Sequence, residues 1–80
     1  MRKRIKMRIY SEDAKTSNIR SMLNTYFVAS DIQSTTNLDA KVQQSVIASA
    51  CDMGLIKMEP DGDGGFQYRI TPNGKEYRDS

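Results

Sequence analysis

The chain contains no histidine. That excludes imidazole acid–base catalysis and every histidine-containing zinc site. Cysteine occurs once, as Cys51, so no internal disulfide can form. Within an expected helix, and without a basic neighbour, its thiol reads as a small semi-buried group rather than a reactive one. The apolar runs are far too short to span a bilayer, and no apolar h-region follows the charged N-terminus. These absences lead to the expectation of a soluble, cytoplasmic protein without membrane association. An acid is missing from residues 1–10, which carry Arg2, Lys3, Arg4, Lys6 and Arg8.

What is present amounts to one domain. Eighty residues bury a modest core, with stability toward the low end of roughly 5–15 kcal/mol. At 38% hydrophobic residues the chain is polar but not compositionally disordered. The net charge of +2 divides unevenly, with +5 in residues 1–10 and −3 in residues 11–80. A basic arm therefore precedes a mildly acidic domain, and such arms often contact nucleic acid. The arm also alternates, with Arg4, Lys6 and Arg8 on one side of a strand and Ile5, Met7 and Ile9 on the other. That pattern predicts a strand packing its apolar side on the body of the protein or on a second copy.

Ser11 followed by Glu12 and Asp13 reads as a helix start, although Ser17 would serve as well. Ile19, Met22, Leu23, Tyr26 and Phe27 then form one apolar stripe, which predicts a first helix over about 13–26. Ser30 is expected to cap a short second helix ending near Thr36, with Asn37 as a left-handed turn residue and Leu38 anchoring the turn. Asp39 is expected to cap a third helix over about 40–53, terminated by Gly54. Val42, Val46, Ile47, Ala50 and Met53 form its expected core stripe. Lys41, Gln44, Ser45, Ala48 and Asp52 lie opposite, and Gln43 fits neither side well.

The last third predicts a hairpin. Leu55 to Glu59 forms one strand, Asp61-Gly62-Asp63-Gly64-Gly65 a tip, and Phe66 to Thr71 the return strand, followed by a turn at Pro72-Asn73-Gly74 and a short helix or tail carrying Tyr77. The tip is not an EF-hand loop, because proline stands at the twelfth position, where that loop needs glutamate. Nor do its glycines lead into a helix opened by Lys-Ser or Lys-Thr, so there is no phosphate loop. The ten acids scatter over caps and turns. No enzyme, metal or cofactor is expected.

Taken in order, FVASDIQSTTNL, DAKVQQSVIASACDMGLI and KMEPDGDGGFQYRITPNGKEY resemble a winged helix-turn-helix domain of the bacterial and phage regulator type. The ending aromatic-x-Ile-Thr-Pro-x-Gly-x-x-Tyr is similar to that of many wings. The resemblance implies an α+β winged helix at 11–80, with residues 1–10 as an arm or an extra strand. It implies sequence-specific binding of double-stranded DNA by a small transcriptional or replication regulator, often as a dimer, with the third helix in the major groove. Lys41, Gln44 and Ser45 would read bases, while Arg69 and the arm cations Arg2, Lys3, Arg4, Lys6 and Arg8 would meet phosphates or a minor groove. The acids Glu59, Asp61 and Asp63 on the wing run against that. They favour the alternative of a winged helix that docks on a polymerase or another host protein. A ribbon-helix-helix would use the arm as its strand but would end near residue 50 and leave the hairpin unexplained.

Overall fold

The computed structural model describes residues 17–80. They form an α+β domain in the order α1 (17–26), β1 (Ile32–Ser34), α2 (Thr35–Lys41), α3 (Gln44–Asp52), β2 (Ile56–Pro60), β3 (Phe66–Ile70) and α4 (Pro72–Asp79). The antiparallel sheet has the order β1-β3-β2, so the return strand of the hairpin is its centre. The arm, with its expected strand, and the start of the first helix at 13 lie outside the described residues.

Helix α1 follows its stripe: Ile19, Met22, Leu23 and the next residue, Phe27, are all buried, and Tyr26 packs beside them. The second helix begins later than its local signals suggest. The Ile32 N–H donates to Ser30 Oγ at 3.1 Å, closing a turn, and residues 32–34 pair with Arg69, Tyr68 and Gln67. Ser34 then caps α2, its hydroxyl accepting the Asn37 N–H at 3.1 Å. Asn37 is helical, since none of the described non-glycine residues has positive φ. Asp39 is not a cap; it lies inside α2 and accepts the Tyr68 hydroxyl at 3.0 Å.

The helix expected over 40–53 is divided by two extended residues, Val42 (φ −123°, ψ 140°) and Gln43 (φ −63°, ψ 140°). Geometry explains the break. At about 100° per residue, positions nine apart fall on opposite sides of a straight helix. Leu38 and Ile47 are nine apart and both buried, at 0% and 3% exposure. One continuous helix could not seat both. Helix α3 accordingly turns Ile47 and Ala50 into the core, with Val46 and Cys51 flanking, and leaves Met53 45% exposed. Met53 is therefore not a core residue, and Gln43 belongs to the turn.

Helix α3 ends as a Schellman motif. Gly54 takes φ 74°, its N–H donates to Cys51 O at 3.0 Å, and the Leu55 N–H donates to Ala50 O at 2.9 Å. The expected turn at 72–74 is instead the first turn of α4, with proline in the first helical positions, where no N–H is missed. Thr71 caps it, accepting the Gly74 N–H at 3.0 Å while its own hydroxyl donates to Gly54 O at 2.6 Å. Gly74 is buried because α4 lies directly on the Leu55 peptide. The far end of α4 is fastened to α1 and its exit: Arg78 Nη1 donates to Phe27 O at 2.6 Å, and the Arg20 guanidinium lies 5.2 Å from the centre of the Tyr77 ring.

Candidate nucleic-acid interface

The wet flank of α3 carries Gln44, Ser45, Ala48 and Asp52, all exposed. Gln44 and Ser45 stand in its first turn, whose N-cap Gln43 makes no side-chain cap hydrogen bond. Lys41, expected on this helix, is instead the exposed last residue of α2, across the Val42–Gln43 turn. It borders an open groove of about 320 Å³ whose walls include Asn18, Met22 and Tyr26 of α1 and Gln43 and Val46. The three residues thus lie on two helices joined by a two-residue turn, rather than on one helical face.

Arg69, the hairpin cation of the expected interface, is ion-paired. Lys57 and Glu59 pair across the strands with Arg69 and Gln67. Glu59 Oε2 accepts from Arg69 Nε at 2.8 Å and from Gln67 Nε2 at 2.7 Å. These two hydrogen bonds hold the Glu59 carboxyl below the usual carboxylate range. Arg69 thus has its Nε engaged by Glu59 while its side chain stays 39% exposed. At the tip, Asp61 has a structural task, with Oδ1 accepting the Asp63 N–H at 2.7 Å and the Gly65 N–H at 3.0 Å. Those amides lower its pKa and fix the negative charge at the tip. Glu59 and Arg69 are diagonal neighbours on one face of the hairpin, within reach of long side chains.

The described residues hold six cations and eight acids, a net charge of −2. Arg69, Lys75 and Arg78 are paired with Glu59, Asp31 and Asp79, and Arg20 stacks on Tyr77. Among the described residues, Lys41 and Lys57 make no ion pair. Arg2, Lys3, Arg4, Lys6 and Arg8 lie outside the described residues. Cys51 is half-buried, and burial foremost, then Asp52, raises its pKa. Among the described residues no cluster of three or more potential metal ligands occurs, and no helix is long and apolar enough to cross a membrane. Comparison with known proteins finds no matching family model, no similar curated protein and no similar solved structure.

Proposed function

We propose that this α+β domain is a winged helix that binds double-stranded DNA, with the first turn of α3 facing the major groove. The observation that carries the reading is the free flank of α3, set after a short helix and a two-residue turn and before a hairpin whose return strand pairs with β1. Gln44 reads an adenine edge through its amide, and Ser45 and Lys41 contact base or backbone beside it. The described residues are net negative, so affinity comes from the arm: Arg2, Lys3, Arg4, Lys6 and Arg8 displace counterions from phosphates.

Selection from randomised duplexes with the purified chain, followed by titration across salt concentrations, tests this. Binding should weaken steeply with salt, and replacing Arg4, Lys6 and Arg8 by alanine should flatten that dependence. Gln44→Ala should cost about 1–3 kcal/mol at the selected site and little at unrelated duplexes. Failure to retain any duplex at about 50 mM salt would refute the reading. The acids of the hairpin then favour docking on a protein, and charge reversal of Asp61 and Asp63 should abolish capture of that partner.

A further inference from the structure

We propose that two copies of the chain associate through β2, their β2 strands pairing antiparallel about a two-fold axis at Met58. The sheet order leaves one edge of β2 unpaired among the described residues. Two bonds fix which backbone groups that edge offers: the Thr71 N–H donates to Leu55 O at 2.9 Å and the Asp61 N–H to Gly65 O at 3.1 Å. Antiparallel pairs alternate in their bonding, so Leu55, Lys57, Glu59 and Asp61 turn their backbone groups to β3. Ile56, Met58 and Pro60 turn theirs outward. Proline at position 60 withholds no bond from β3, because its nitrogen faces away. Pairing about Met58 then forms four bonds. Each Met58 N–H donates to the carbonyl of the other Met58, and each Ile56 N–H to the carbonyl of the other Pro60.

The side chains single out a second copy as the occupant. Ile56-Lys57-Met58-Glu59-Pro60 is complementary to its own reverse. Lys57 of each copy falls opposite Glu59 of the other, Met58 opposite Met58, and Ile56 opposite Pro60. Centring the axis on Lys57 would set Lys57 against Lys57, and centring it on Glu59 would set Glu59 against Glu59. Like charges directly opposite are unfavourable, so the register about Met58 is selected. Among the described residues Lys57 makes no ion pair. Arg69 and Gln67 both bond Glu59 through Oε2, and no hydrogen bond among the described residues uses its Oε1. Charges on an edge strand ordinarily oppose pairing; opposite signs in mirror positions reverse that effect here. On the other face Ile56 is 2% exposed, whereas Met58 and Phe66 are each 55% exposed. Antiparallel pairing sets the covered Ile56 end of one copy beside the open Pro60 end of the other and brings the two exposed Met58 side chains together at the axis. The same patch serves both copies, as a two-fold contact requires. It uses no residue of α3, so it stands apart from the DNA reading.

Sedimentation equilibrium of the full chain, without DNA, tests it. A five-residue edge is small beside a standard interface. A reversible dimer with a dissociation constant on the order of 100 μM is therefore expected. Lys57→Glu sets carboxylates opposite one another at both ends of the paired strands and should weaken the dimer at least about tenfold. Amide exchange reads the register on the native chain. Raising its concentration from about 20 μM to about 1 mM should slow the Ile56 and Met58 amides about threefold or more. The Lys57 and Glu59 amides, bonded to β3 within each copy, should not respond. A chain that stays monomeric at about 1 mM, a dimer indifferent to Lys57→Glu, or Ile56 and Met58 amides indifferent to concentration would each overturn the proposal, whatever the outcome with DNA.

Discussion

Replacing Gly74 with alanine opposes two effects whose sizes can be compared. Inside a helix, alanine is favoured over glycine by about 0.5–1 kcal/mol, so on an exposed helix the change would stabilise. Gly74, however, is buried in the first turn of α4. A Cβ there would stand 2.7 Å from Ile70 Cγ1 and 2.9 Å from the Leu55 carbonyl carbon, with the Leu55 oxygen closer still. Carbon contacts settle at about 3.5–4.0 Å, so the overlap approaches about 1 Å. Relief by movement of Leu55 is restricted, because its carbonyl already accepts the Thr71 N–H at 2.9 Å. Overpacking of this kind costs about 1–3 kcal/mol or more. Against the helix gain, a net loss of about 2 kcal/mol is expected, a fall in Tm of roughly 8–16 °C for a domain of this size. Urea and thermal unfolding followed by circular dichroism would measure it. Gly65→Ala provides the contrast, since its nearest neighbour at 2.9 Å is a side-chain oxygen of Asp61 rather than backbone. If Gly74→Ala matched or exceeded the native stability, α4 could not be seated on the Leu55 peptide as described.

Three further outcomes are expected. Burial foremost, then the hydrogen bond to Asp39, raises the Tyr68 phenol to about 12; with an unfolded value of about 10, its stabilising effect is complete below pH ~10 and is lost as pH rises toward about 12. Ultraviolet titration should therefore show a late-ionising component that disappears in Tyr68→Phe, which should also lose about 1 kcal/mol of stability at neutral pH. Among the described residues the buried Tyr77 hydroxyl has no hydrogen-bond partner, so Tyr77→Phe should leave urea stability unchanged or raise it by up to about 1 kcal/mol, and a clear loss would show that the hydroxyl is satisfied. Glu59→Gln removes the charge that occupies Arg69. If the hairpin lies along DNA, duplex affinity should rise and the slope against log salt should steepen by about 0.9 for the phosphate gained; an unchanged slope places Arg69 away from the backbone.

The parts of the fold readable in the sequence are those set by near neighbours. The stripe ending at Phe27, the left-handed Gly54 and the alternation of Phe66 to Ile70 each depend on contacts within a few residues or one strand. The division of the expected third helix does not. Ser30, Asn37 and Asp39 are all acceptable end signals, and the choice among them is made elsewhere. Ile32 to Ser34 are drawn into pairing with residues 67–69, and Asp39 receives a hydroxyl from Tyr68, 29 positions away. Only the joint burial of Leu38 and Ile47 reveals the break, and helix periodicity applied to a presumed single element concealed it. In the candidate interface, the exposure of Gln44 and Ser45 followed from helix phase. The engagement of Arg69 by Glu59 depends on the register of the hairpin. Pro72-Asn73-Gly74 has the composition of a turn, and only the close approach of Leu55 shows why glycine stands inside a helix.

The placement of β3 at the centre of the sheet has a consequence for how the chain comes into being. The ribosome delivers β1 and the three helices around it long before residues 66–70, so β1 waits without a neighbour and β2 has only half of its hairpin. The clasp from α4 back to α1 arrives later still. Such long-range closure delays folding relative to local helix formation. Nascent chains stopped before about residue 70 should thus remain open to proteases. The sheet closes only as the last strand enters between the two that preceded it.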